Sequence, residues 1–345
     1  MRVGSGPDAD ESWRRFARDL LAVAALTGLA VLALVTALDP YGLRAATGRP
    51  AGPIVDANQR LAYPQIARGG PFDAAVFGTS TARLLDPAIL DAAFGDRFAN
   101  LAVNAATPDE QARLAALFLA RRPVRAVLFA LDATWCAADP PARTANAFPD
   151  WLYEPGTPWG TLRQWSLRTA TAAARAAALH LGFGHPRIRA DGYAVFTPPE
   201  AAYDPARARA RIRAGASDPA APADPPEAPM PALGRLDDLL RQAPPGALRM
   251  VAFMPVHAAA QGASGTPAGA REAACKAQVA AIAARRGAVA VDFRLPSPVT
   301  TRDENYWDAL HYRLPVAARV VAGLRAAVAT GVDDPDGFYR VLAHP

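Results

Sequence analysis

A chain of 345 residues that is 51% hydrophobic and 20% charged is globular rather than disordered, and long enough for one large domain or two small ones. Its net charge of +5 rests on 37 basic residues, of which only Lys276 is a lysine, beside 33 prolines. That pattern reads as a coding bias, and no cluster of basic and aromatic residues argues for a nucleic-acid partner.

Residues 1–19 read as a cytoplasmic tail, with positions 1–12 polar and loose. Residues 20–38 carry no charge, and an apolar run of that length spans a bilayer. A secretory signal would have a shorter apolar core and a small-residue cleavage site soon after it, whereas this run exits through Thr36-Ala-Leu-Asp-Pro40. Arg2, Arg14, Arg15 and Arg18 precede the run, and only Arg44 and Arg49 follow it closely. The positive-inside rule therefore predicts a single-pass inner-membrane protein with its N-terminus in the cytoplasm and residues 39–345 outside, in the periplasm.

The remainder alternates strand and helix. Strands are predicted at Ala74–Phe77, residues 97–103, Ala126–Leu131, residues 248–254 and residues 288–292. Thr107-Pro-Asp-Glu110 spells a capping box with Pro at the first helical position, opening a helix to about residue 121. Helices also follow at 270–286 and 315–330. Strands separated by helices imply a parallel sheet with both faces covered. Between the third and fourth strands lies an insert, residues 137–245. It holds the aromatic residues Trp151, Tyr153, Trp159 and Trp165, which either stack on sugar rings or pack the insert onto the body. An Ala-rich helical run follows, then a segment at 217–231, rich in Pro, Ala and Asp, that reads as a mobile loop. Cys136 and Cys275 have no metal-site spacing; they pair in an oxidising compartment or sit as buried apolar side chains. No metal or cofactor is expected.

In a parallel sheet, every segment that follows a strand emerges at one edge, where ligands bind. That edge collects Thr79 and Ser80, Asn100 and Asn104, Asp132, His257, and finally Asp308 and His311. Ser80 follows Gly78 on a tight strand-to-helix turn, where it is either a nucleophile or a helix N-cap. Asp308 and His311 are three apart, so in a helical turn they touch. The carboxylate can then hold the imidazole tautomer while the other ring nitrogen takes the serine proton. Asp132 either binds a substrate hydroxyl or caps the next segment. His257 either lines the pocket or faces solvent.

These blocks resemble those of the SGNH/GDSL hydrolase superfamily. Gly78-Thr79-Ser80 stands where that family has Gly-Asp-Ser, and Asp308-Ala-Leu-His311 matches its closing Asp-x-x-His. Asn100-Leu-Ala-Val-Asn-Ala105 is similar to the Asn-Leu-x-x-x-Gly segment of membrane-anchored envelope members, such as the alginate O-acetylation and DltD-like proteins. The resemblance implies a flavodoxin-like three-layer α/β fold over roughly residues 70–335, with Ser80 as nucleophile, His311 as base and Asp308 as its orienter. Thr79, Asn104, Ala105, Asp132 and His257 are then the candidate oxyanion and substrate-binding residues. Ala105 replaces the usual Gly, and the Asn of the third block is missing from Ala130-Leu-Asp-Ala133, leaving Asn104 as its substitute. The implied activity is that of a serine acyltransferase or esterase on O-acyl (acetyl) groups of an envelope polysaccharide or lipid-linked glycan, within an envelope biosynthesis complex. The alternative is a non-catalytic glycan-binding assembly component, and a lysophospholipase is a third reading.

Overall fold

The computed structural model describes residues 7–44, 52–120, 123–144, 148–154 and 164–345; Trp159 lies outside them. The first element, α1 (Pro7–Leu38), begins earlier than the sequence pattern suggests, so much of the tail read as loose is helical. Its segment Asp10–Leu38 is long and apolar enough to cross a membrane, with a mean hydropathy of 2.5 in its most apolar stretch and 6% of that stretch buried. Leu20, Leu21, Val23, Leu26 and Leu29 are all exposed, whereas Val35 near its end is buried.

Six strands form one sheet in the order β2-β1-β3-β4-β5-β6: β1 (Ala74–Phe77), β2 (Phe98–Asn100), β3 (Ala126–Leu131), β4 (Leu248–Phe253), β5 (Val289–Asp292) and β6 (Arg340–Ala343). The first five pair in parallel, as expected from the alternation of strand and helix. β6 is antiparallel to β5 and was not legible: residues 340–343 are short, half-exposed and follow the last helix as an edge strand. The strand direction along the sheet reverses its sequence order between β1 and β3, which opens a crevice at their C-terminal ends.

Alternate residues of each strand feed two cores, because successive side chains leave a strand on opposite faces. Val127, Phe129 and Leu131 of β3 join one core, under helices α2 (Gln59–Gly69), α4 (Pro108–Leu119), α7 (Pro231–Gln242) and α8 (Pro267–Arg286). Ala126, Leu128 and Ala130 join the other, under α3 (Pro87–Phe94) and α9 (Leu314–Thr330). The capping box that opens α4 is present: the Thr107 hydroxyl accepts from the Glu110 N–H at 3.2 Å, and Glu110 accepts from the Thr107 N–H at 3.2 Å.

The insert holds helices α5 (Leu167–His180) and α6 (Pro205–Ala214) ahead of α7, and no strand among the described residues. Of its aromatic residues, Trp151 and Tyr153 pack inward and Phe183 is exposed. Trp151 meets Tyr41 edge to face, and the buried Tyr153 donates its hydroxyl to the Arg60 carbonyl at 3.0 Å. Trp165 stays partly exposed. An arm after α5 then runs along the free edge of β2, where the Asn100 N–H donates to the Asp191 carbonyl at 2.8 Å. A Cβ at Gly192 (φ +84°) would collide with the Asn100 carbonyl oxygen, so only glycine permits this approach.

Segment 217–231, read from the sequence as a mobile loop, is hydrogen-bonded to the body through its own backbone carbonyls. Arg271 on α8 donates to the carbonyls of Pro225, Ala228 and Pro229 and to that of Cys136, at 2.6–2.9 Å. Asp224 accepts the Ala138 N–H at 2.8 Å. Cys136 and Cys275 are joined as a disulfide across 139 residues of sequence, tying the turn after β3 to α8.

Candidate active site

β1 ends at Phe77, and the chain turns through Gly78 and Thr79 into a short 3-10 turn, Ser80–Ala82. Among the described residues, the Ser80 hydroxyl caps no backbone N–H. It lies 2.9 Å from His311 Nε2. His311 Nδ1 in turn lies 2.8 and 2.9 Å from the two Asp308 oxygens. Since Nδ1 faces a carboxylate, it carries the proton in the neutral ring and leaves Nε2 free to accept from Ser80.

Asp308 and His311 meet by a different route from the expected helical turn. Residues 307–311 form a bend closed by an isolated bridge between Tyr306 and Tyr312. Asp308 Oδ1 accepts the N–H groups of Leu310 at 2.8 Å and His311 at 2.9 Å, folding the loop around its own carboxylate. Burial alone would raise the Asp308 carboxyl. The His311 ring and these two N–H groups outweigh it and hold the group below the usual carboxylate range.

Ala105 has φ +48°, a left-handed conformation that costs a non-glycine residue roughly 1 kcal/mol. Arg60 Nη2 holds its carbonyl at 3.3 Å, and Arg60 is itself locked by a buried pair with Glu110 at 2.7 Å. Among the described residues, the Ser80 and Ala105 N–H groups donate to no protein acceptor, and both residues line one cavity. Arg83 Nη1 donates to Asn104 Oδ1 at 3.0 Å, which sets the amide so that its NH2 points away from the guanidinium. The arrangement therefore leaves two backbone donors on the cavity wall, whereas Asn104 is not among the residues that line it.

Two candidates take structural roles. Asp132 caps the 3-10 turn after β3 by accepting from the Thr134 N–H at 2.9 Å and its hydroxyl at 2.5 Å, although it also lines the cavity. His257 neither lines the cavity nor faces solvent: it is buried, and its Nδ1 accepts the Ala259 N–H at 3.1 Å. Asp303 Oδ1 lies 3.2 Å from Nε2, but out of hydrogen-bond alignment. Asn100 also turns inward, donating to the carbonyls of Ala82 and Leu85 at 2.9 and 2.8 Å, and so fixes the turn that carries Ser80. Thr79 is buried on the cavity wall, its hydroxyl 3.4 Å from that of Thr81.

The sequence pattern missed the insert's share. Phe196 sets its ring edge to face with His311, centroids 5.4 Å apart, and Arg83 lies over the same ring at 4.8 Å. Glu200 binds Arg313 at 2.6 Å and caps α9 through the Leu314 N–H at 3.1 Å. A lone aromatic residue and a lone glutamate in an irregular segment carry no periodicity that would have marked them. The charged groups on the far wall include Glu272 and Arg294, paired at 3.0 Å.

No protein-family model, curated protein or solved structure matches this chain.

Proposed function

We propose that this protein is a membrane-anchored serine acyltransferase or esterase of the SGNH type, acting on O-acyl groups of an envelope polysaccharide or lipid-linked glycan. The observation that carries the reading is the continuous chain Ser80–His311–Asp308, at 2.9 and 2.8 Å. The sheet order supports a flavodoxin-like arrangement of the SGNH kind, since Ser80 follows β1 at the crevice between β1 and β3.

Ser80 Oγ attacks the ester carbonyl while His311 Nε2 takes its proton, and Asp308 stabilises the imidazolium that forms. In this reading the N–H groups of Ser80 and Ala105 serve the oxyanion; each such donor is worth ~3 kcal/mol of transition-state stabilisation. His311 returns the proton to the leaving alcohol, and a sugar hydroxyl or water then takes the acyl group from Ser80. The apolar α1 supports a single-pass anchor. The arginine bias ahead of it favours an N-in orientation, and the Cys136–Cys275 disulfide suits the oxidising side of the membrane.

The test is the intact mass of the full chain in lipid nanodiscs after exposure to an activated acyl ester, beside Ser80→Ala. A covalent adduct on the wild type alone is expected. Its persistence until a saccharide is added identifies a transferase, and its decay in water an esterase. Absence of any adduct over a broad range of pH and esters overturns the reading.

A further inference from the structure

The triad opens onto more space than an acetyl group can use. A cavity of about 1050 Å³ begins at Thr79, Ser80 and Thr81 and runs between the turn after β3 and the clasped segment 217–231. That is at the top of the ~300–1,000 Å³ range of pockets that enclose whole drug-sized ligands. A two-carbon acyl group on Ser80 would leave nearly all of it to water.

We propose that the acyl group Ser80 accepts is a hydrocarbon chain of roughly eight carbons or more, housed in this cavity. The inference rests on the reading of Ser80 as a nucleophile, and it comes from the chemistry of the wall. Ala106, Ala137, Pro222, Ala223 and Val256 present apolar surface. The charged side chains on the wall are already engaged. Arg271 is spent on backbone carbonyls, Arg294 pairs with Glu272, and Arg143 pairs with Asp109 and Asp150. Asp132 and Asp224 each accept from a backbone N–H. To bind a polar ligand, Arg271, Arg294 and Arg143 would have to give up these bonds, whereas a hydrocarbon need break none.

A sugar fits the interior poorly. Carbohydrate binding favours an open aromatic face, and Phe253 is the single aromatic residue among those described that line the cavity. The Lys276 ammonium lies over that ring, 5.9 Å from its centroid. In the insert, Trp151 and Tyr153 are packed against Tyr41 and Arg60, and the exposed Trp165 and Phe183 do not line the cavity. The chain therefore enters the cavity and the alcohol, sugar or glycerol, stays at the mouth.

In the step this implies, the Ser80 Oγ–carbonyl bond forms as the ester C–O bond breaks. The Ser80 proton passes through His311 Nε2 to the departing alkoxide, leaving a long-chain acyl-serine.

The test compares nitrophenyl esters of acetic, butyric, octanoic and dodecanoic acids on the full chain in nanodiscs, with Ser80→Ala as blank. Each buried methylene should raise kcat/KM about fourfold until the cavity fills, so octanoyl, six methylenes longer, should exceed acetyl by about 4,000-fold with all six buried and by about 60-fold with half of them buried. Ala223→Trp, which intrudes on the wall, should lower the octanoyl-to-acetyl ratio by about tenfold. A flat or acetyl-favouring profile that still depends on Ser80 overturns the chain proposal and leaves the nucleophile standing. An unchanged ratio in Ala223→Trp also overturns it, by separating the cavity from the chain. No Ser80-dependent reaction with any ester overturns the nucleophile reading, and this proposal with it.

Discussion

The two sides of the cavity are held by different physics. On the side that carries Ser80, that residue follows β1, while Asp308 and His311 sit in a loop folded around the Asp308 carboxylate. On the opposite side, the turn after β3 and segment 217–231 contain no strand, and their backbone polar groups need other partners. Arginines supply them. Arg271 satisfies four carbonyls at once, three in segment 217–231 and one in the turn after β3. One side thus places reactive groups through short turns at strand ends, and the other builds a wall by satisfying irregular backbone from buried guanidinium groups. Changes on the first side should be felt in chemistry and changes on the second in stability and selectivity.

Asp308→Asn presses hardest on that division. An amide in place of the carboxylate favours the wrong His311 tautomer, so kcat of ester turnover should fall by about 10⁴-fold with the melting curve little changed. Equal loss of stability and activity would show that the loop, and not the proton relay, is what Asp308 supports. On the wall, replacing Cys136 and Cys275 together by serine frees a loop of 139 residues and should cost about 2–5 kcal/mol in denaturant unfolding. Arg271→Met leaves four carbonyls without their donor and should cost about 3 kcal/mol, with faster proteolysis within 217–231 than elsewhere.

The smallest effect concerns His257, which lies behind the site and serves neither side directly. Burial holds its imidazole below the ordinary range against a partial pull from Asp303. As pH falls below about 6.5, the unfolded chain takes up a proton that the folded chain refuses, so stability declines until the depressed folded value is reached. His257→Asn can keep an acceptor for the Ala259 N–H but cannot titrate. The variant should show a shallower loss of melting temperature on acidification than the wild type, and identical slopes would assign the acid sensitivity elsewhere.

Much of the sheet was legible because its signals are local. Ala74–Phe77 and Ala126–Leu131 are short apolar runs bounded by polar residues, and Thr107 with Glu110 marks a helix start within four positions. The triad residues were legible as motif and as topology. The bend at 307–311 was not, since three-residue spacing alone does not distinguish a helical turn from a loop wrapped around a carboxylate. Glu110 was readable as a cap, but its second partner, Arg60, lies 50 positions away on another helix. In the sequence Lys276 stands out only as the one lysine among 37 basic residues. In the fold its compact ammonium meets Glu272 Oε1 at 2.8 Å, Asp292 Oδ2 at 3.0 Å and the Arg294 carbonyl. A planar guanidinium offers its donors in a rigid fork and would not serve such a convergence.

The amino-acid sequence by itself determined the apolar N-terminal helix, the alternation of strands and helices, and the edge to which Ser80, Asp308 and His311 come. These follow from charge-free length, periodicity and chain order, which are properties of neighbouring residues. Only the tertiary structure decided which polar residues face the cavity and which turn inward to hold backbone, as Asn100 and His257 do. It also decided that the insert closes the site through Phe196 and a clasped proline-rich wall. Those outcomes depend on which carbonyls and N–H groups are left unpaired once the sheet has formed, and that inventory does not exist until distant segments have packed together.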